Sequence, residues 1–244
     1  MKHCSPVVFV LISIVLMVGC IAVASPAQAA SAIRISQVYG GGGGGSTWVY
    51  DYVELFNSRS SPVAIGGWSL QYGSSTGAAF GTSATSCAFI PLGAYVPACG
   101  YYLIQVGASA GAGVMDPWPA GGPDLVNPTG PTLSATAGKL ALVSDQVFPS
   151  VCSGNTVGGR FVDVYGYGTT TTCYEGTPAA ALTNASVAVR NSAGMTDTDD
   201  NSKDFTPTGS SFVTIHNAAS APDPECGPLP TSSRTWGRIK SLYR

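Results

Sequence analysis

Short apolar segments, most of them closed by glycine or asparagine, recur along this chain and set its fold class. IRISQVY (33–39), DYVELFN (51–57), GGWSLQYG (66–73), YYLIQV (101–106), GKLALVSD (138–145), FVDVYGYG (161–168), SVAVRN (186–191) and FVTIHN (212–217) are all rich in β-branched or aromatic residues. Several alternate in the period-2 manner of a strand, and none carries a convincing 3.6-residue period. Turn signals such as Ser61-Pro62, Pro91-Leu92-Gly93 and Asn127-Pro128 separate them. Seven or more short strands of this kind predict an all-β sandwich or barrel. Composition agrees. Charged residues are only 10% of the 244, and there are 31 glycines. The long-chain helix formers are correspondingly scarce.

The amino terminus reads as a targeting segment. Lys2 and His3 precede an apolar run from Val7, and Ala27-Gln28-Ala29 forms an A-x-A cleavage site. Residues 1–29 are therefore expected to be a signal peptide, leaving a domain over 30–216. Met17–Cys20 also resembles a lipobox, so the alternative to a freely secreted protein is one lipid-anchored at the envelope through Cys20. Residues 217–244 read as a Pro-rich linker and basic tail, with Trp236, Ile239 and Tyr243 at helical spacing; a frayed tail is the plainer reading and a membrane or sorting contact the alternative.

Charge is unevenly distributed. Residues 31–216 hold six basic and eleven acidic side chains, and 217–244 hold four basic and two acidic. An acidic body is a poor match for nucleic acid, whose binding rests on phosphate neutralisation.

An exported chain is expected to oxidise its cysteines. Five follow the signal peptide: Cys87, Cys99, Cys152, Cys173 and Cys226. Two bridges among five cysteines allow fifteen arrangements. Short loops favour Cys87–Cys99 and Cys152–Cys173, with Cys226 left over. No C-x-x-C or paired Cys/His spacing points to zinc.

The order of ISQVYGGGG, YVELFN, GWSLQY, ATAGKLALV, VDVYGYG, EGTPA and DTDDNSKDF resembles that of bacterial lamin-tail domains, from about Ile33 to Phe205. The resemblance implies an immunoglobulin-like β-sandwich. It implies a docking surface rather than an enzyme: in nuclear lamins the fold docks proteins and DNA, and in exported bacterial proteins it often sits beside hydrolase domains. The expected role is a non-catalytic binding or adhesion module whose partner is an extracellular protein or glycan surface. The alternative is an accessory that targets a separate secreted nuclease or phosphatase to DNA or the envelope. The resemblance also fits a Cys152–Cys173 bridge. With bacterial relatives, the glycosylation match at Asn184-Ala185-Ser186 is idle.

Chemical readings of single motifs are weak. His216 is the one histidine after the signal peptide, and it is expected at a strand end on the surface. No strand-to-helix context for a nucleophile elbow accompanies it. Asp51 and Glu54 fall on opposite faces of a strand and make no acid/base pair. Glu54 is expected to accept backbone hydrogen bonds, the glycine run included. Asp197, Asp199 and Asn201 have the D-x-D-x-N spacing of a calcium loop, but Ser202 and Thr208 stand where an EF-hand requires Gly and Glu. A self-capped turn is the plainer reading, and apart from calcium there no cofactor is expected. Gly40–Gly45 lack the Lys and the following helix of a phosphate loop. They read as a loop between the first two strands, with Trp48 and Tyr50 on its rim as the side chains to meet a partner.

Overall fold

The computed structural model describes residues 32–43, 48–107, 117–152 and 159–226. The expected signal peptide, Cys20, the end of the glycine run and the tail from residue 227 lie outside them.

Fourteen strands are present among the described residues. β1 (Ile33–Tyr39), β2 (Asp51–Asn57), β8 (Tyr101–Val106), β9 (Leu125–Asn127), β13 (Ser186–Arg190) and β14 (Phe205–Gly209) build a six-stranded sheet in the order β14-β13-β1-β2-β8-β9. β4 (Ser69–Ser74), β6 (Cys87–Phe89), β10 (Gly138–Val143) and β12 (Phe161–Tyr167) build a four-stranded sheet in the order β12-β10-β4-β6. Two small pairs complete the fold: β3 (Val63–Ala64) with β7 (Tyr95–Val96), and β5 (Ala79–Phe80) with β11 (Ser150–Val151). Among the described residues the one α-helix is a single turn, α1 (Asn201–Asp204). Among the described residues, no helix is long and apolar enough to cross a membrane.

The main core lies between the two large sheets. Ile35, Val53, Leu55, Tyr102 and Ile104 meet Leu70, Ala88, Leu140, Leu142 and Tyr165 across it. The sandwich follows from strand alternation, since every second side chain points inward. β2 is buried along its whole length because its outer face is covered too. Tyr39, Tyr52, Leu103 and Val187 of that face are roofed by Trp48, Trp118, Val213 and Ile215.

Gly40, Gly41 and Gly42 of the glycine run are packed against neighbouring backbone. A Cβ on Gly40 would stand 2.5 Å from the Ser134 carbonyl oxygen, and one on Gly41 2.5 Å from that of Asn184. Side chains are excluded there by neighbouring backbone. Asp51 fastens the run: its Oδ1 accepts from the Gly42 N–H at 2.8 Å and its Oδ2 from the Leu133 N–H at 2.7 Å. This clasp belongs to Asp51, whereas Glu54 was the expected acceptor.

Three further expectations are corrected. FVTIHN is not a strand. The last strand is β14, which contains Pro207, tolerated because β14 is the sheet's edge. Residues 217–226 are no linker. Asn217 is buried and donates to the carbonyls of Ala120 and Gly122, and the Asp223 N–H donates to the Cys99 carbonyl. Cys99 bridges Cys226, with Cα atoms 5.4 Å apart, and Cys87 is a buried free thiol. Loop-length reasoning fails here because it penalises a bridge spanning 127 residues, which folding has already closed. The Cys152–Cys173 bridge is present as expected, with Cα atoms 5.8 Å apart. Two disulfides mark a chain that folds in an oxidising compartment.

Non-reducing peptide mapping should recover Cys99 linked to Cys226, and recovery of Cys87 linked to Cys99 would contradict the fold. Cys226→Ser should lower the unfolding free energy by roughly 2–5 kcal/mol in denaturant titrations.

Candidate functional site: a cleft on the outer face of the six-stranded sheet

The strand pairing of β1 creates the surroundings of the site. Its register with β2 slips between Ile35 and Gln37, leaving Ser36 as the extra residue of a bulge. Its ladder to β13 covers only Gln37↔Val189 and Val38↔Ala188. Ile35 is therefore left with backbone groups that need partners, since buried backbone polar groups are almost always paired. Both are met by side chains. The Ile35 N–H donates to Asp163 Oδ2 at 2.6 Å, and the Ile35 carbonyl accepts from Arg190 Nε at 2.8 Å. Arg190 Nη2 in turn reaches both oxygens of Asp163, at 3.0 and 2.8 Å. Asp163 sits on β12, in the other sheet, so this ion pair clips the sandwich together.

The hub extends into the acidic segment 196–205. Arg190 Nη1 lies 3.5 Å from both Asp197 Oδ1 and Asp204 Oδ2, and it donates to the Thr196 carbonyl at 3.1 Å. Its guanidinium also lies 4.4 Å from the centre of the Phe205 ring. Burial works against the Arg190 charge, but Asp163, Asp197, Glu175 and Asp204 outweigh it and hold its pKa above the ordinary value. Arg34 takes the other oxygen of Asp197, with Nε at 2.9 Å, and donates to the Met195 carbonyl.

The expected calcium residues are thus drawn apart. Asp197 faces two arginines. Asn201 is fully buried, accepts from the N–H groups of Gly166 and Glu175 and donates to the Val164 carbonyl. Asp199 is exposed, with a φ of 53°. Asp200 caps α1, and hydrogen bonds from Lys203 and Ser202 hold its carboxyl down at about 2. Oxygens of Glu175, Asp197 and Asp204 do lie within 4.8 Å of one another. Arg190 already supplies the positive charge that they face.

Beside this hub, on the outer face, lies a cleft of about 220 Å³. Its floor is Gln37, Glu54, Tyr101 and Val189. One wall is the turn Ala193–Gly194, the other the strap from Phe212 to His216. Glu54 is buried and binds both sides of the floor. Its Oε1 accepts from the Ser36 hydroxyl at 2.7 Å, and its Oε2 accepts from the His216 N–H at 2.7 Å. His216 Nδ1 is 3.2 Å from the same Oε2. The imidazole stacks on Tyr101, with ring centres 4.2 Å apart. His216 is therefore held in the cleft wall instead of ending a surface strand. Gln37 is also committed: its Nε2 donates to the Thr214 carbonyl, and its Oε1 accepts from the Tyr52 hydroxyl.

The turn opposite the strap is strained. Ser192 and Ala193 have φ of 53° and 52°, and Gly194 follows at 95°. Left-handed backbone at a non-glycine residue costs about 1 kcal/mol or more. A Cβ on Gly194 would lie 2.9 Å from the Phe56 ring, so glycine is what lets the turn sit on that ring. Phe212 stands at the rim of the cleft, 85% exposed.

The expected rim residues behave otherwise. Trp48 is only 5% exposed and packs against Tyr39, with ring centres 4.9 Å apart, and against Tyr52 at 5.9 Å. Tyr50 is half-buried. Neither lines the cleft. Their place beside a glycine-rich loop suggested exposure, but the outer face of the sheet needed an aromatic cover. The cleft residues were missed because they meet across long separations, such as the 162 residues between Glu54 and His216. The one sequence signal was an acid, Glu54, amid the apolar residues of DYVELFN.

A family model for the lamin tail domain matches residues 26–169, and the chain belongs to that family. The fold accordingly is the immunoglobulin-like sandwich that the resemblance implied. The match stops before β13 and β14, although both are hydrogen-bonded into the six-stranded sheet. Comparison with curated proteins finds no match.

The hub yields two predictions. Arg190→Met should destabilise the protein by about 3–5 kcal/mol in denaturant titrations, because it strands buried carboxylates. The Glu175 carboxyl is pushed up to about 9, first by burial and next by Asp163, from an ordinary 4.5. Between those values the folded chain holds a proton that the unfolded chain has released, so stability falls as pH rises through the window. Asp51, raised by burial to about 6, acts with the same sign but only up to that pH. Urea midpoints measured from pH 6.5 to 9 should therefore fall in the wild type and fall less in Glu175→Gln.

Proposed function

From its membership of the lamin tail domain family, we propose that the chain is a non-catalytic binding module acting outside the cell, with the cleft between Phe212–His216 and Ala193–Gly194 as its contact site. The observation that carries this reading is the wiring of the cleft. The hydroxyl of Ser36 is bonded to Glu54, and Glu54 stands between it and His216. A nucleophile needs its base within hydrogen-bond reach and the base oriented by a third group. Here the acid is in the middle: Ser36 and His216 each bond Glu54 and not one another. Cys87, the buried free thiol, has its pKa raised by burial to about 11, away from the thiolate range of a nucleophile.

The two disulfides and the signal-like amino terminus support an exterior location. The excess of acidic over basic residues in 31–216 speaks against delivery to DNA.

The purified chain should show no turnover of phosphate monoesters, phosphate diesters or carboxylic esters above the uncatalysed rate. Turnover abolished by His216→Ala would overturn the reading. The chain should also bind intact cells or envelope fragments of its source. Binding to duplex DNA with a steep salt dependence would replace this reading with that of a DNA-targeting accessory.

A further inference from the structure

We propose that the cleft takes one neutral hexopyranose ring of a surface glycan. The inference rests on the binding-module reading above and names its ligand.

Size comes first. At about 220 Å³ the cleft is smaller than the roughly 300–1,000 Å³ pockets that enclose drug-sized ligands. It holds one ring or one side chain.

Charge comes next. A cationic group would need a carboxylate with a free oxygen. Glu54 is the acid of the cleft, and its oxygens are taken by Ser36 and by His216. An anionic group would need an available cation. Arg190 borders the cleft, but its side chain is fully buried and engaged by Asp163, Asp197 and Asp204. The ligand is therefore neutral.

Polarity then separates a sugar from an apolar anchor. Apolar anchors of protein partners seat in dry, fully desolvated pockets. Here Gln37, Glu54, Thr208, Thr214 and His216 line the cleft together with Val189, Val213 and Phe212. The mixed lining suits a ring with an apolar CH face and a hydroxyl edge.

The arrangement also supplies both kinds of contact. Phe212 offers a flat apolar ring at the rim, 85% exposed in the free protein. Nδ1 of His216 faces Glu54 at 3.2 Å, which leaves Nε2 as the ring nitrogen to meet a sugar hydroxyl, a group that can donate or accept. The side chain is 30% exposed, so it is open to a ligand. Thr208 and Thr214 line the same cleft, and each carries a hydroxyl; that of Thr208 donates to the Thr206 carbonyl and keeps its oxygen as an acceptor. The stacked Tyr101 and the buried Glu54 fix the imidazole, so little side-chain freedom is lost on binding. The strained turn forms the facing wall through Ala193 and Gly194. Strained backbone of this kind concentrates at ligand-binding sites.

The test is a titration of the isotope-labelled full chain with glucose, galactose, mannose and N-acetylglucosamine, followed by NMR. At least one sugar should shift the signals of Thr208, Phe212, Thr214 and His216 saturably, with a millimolar Kd. Phe212→Ala should weaken that binding about tenfold and Phe212→Trp should retain it, since the contact is a stacked aromatic face. Leu92→Ala, at an exposed position outside the cleft, should bind as wild type. Absence of saturable shifts with all four sugars, or full binding by Phe212→Ala, would overturn the proposal. Cell-surface binding that survives Phe212→Ala, with no sugar bound, would refute the sugar while leaving the binding module standing.

Discussion

The contact between Arg190 and Asp163 is the joint on which this sandwich depends. It connects β13 of the six-stranded sheet to β12 of the four-stranded sheet, and both side chains also bind the backbone of Ile35 on β1. The bulge at Ser36 creates the need, because it leaves Ile35 outside the ladder to β13. A buried ion pair is seldom a large net source of stability, since desolvation offsets the attraction. Its value here is positional. Removing Arg190 would leave the Asp163 charge and the carbonyls of Ile35 and Thr196 without their partner, and removing Asp163 would leave the Ile35 N–H without its acceptor.

The same joint explains the acidic segment 196–205. Its carboxylates look like a cation-binding loop in the sequence, and a cation does meet them, in the form of Arg190 and Arg34. Asn201 turns inward to cap the edge of β12, and Asp200 starts the single turn of helix. On the opposite side of β1, the residue extruded by the bulge places its hydroxyl on Glu54. One irregularity in β1 thus organises the interior hub and the floor of the outer cleft. The strap that walls the cleft is fixed at His216 by Glu54, and the chain that follows it is fixed at Cys226 by Cys99.

Much of the framework was legible from local pattern. β1, β2 and β8 coincide with IRISQVY, DYVELFN and YYLIQV because buried strands are written as short β-branched and aromatic runs. β14 was hidden by Pro207, which reads as a strand breaker until the strand is known to be an edge. The Cys99–Cys226 bridge and the Glu54–His216 pair were hidden for another reason. They join residues far apart in sequence, and nothing local records which segments will cross. Trp48 misled because loop position suggests exposure, whereas the open face of a central strand demands cover. Arg190 left one trace, a charge at the end of the apolar SVAVR.

The central claim is that the Arg190 hub holds the two sheets as one cooperative unit, and native-state hydrogen exchange tests it most directly. The reporting amides are those of Ile35, Val164, Gly166 and Thr198, which donate to Asp163, Glu175, Asn201 and Asp204. These amides should exchange only through global unfolding, with the same opening free energy as the core of β2 and β8. Exchange through a smaller local opening, while β2 and β8 stay protected, would contradict the account.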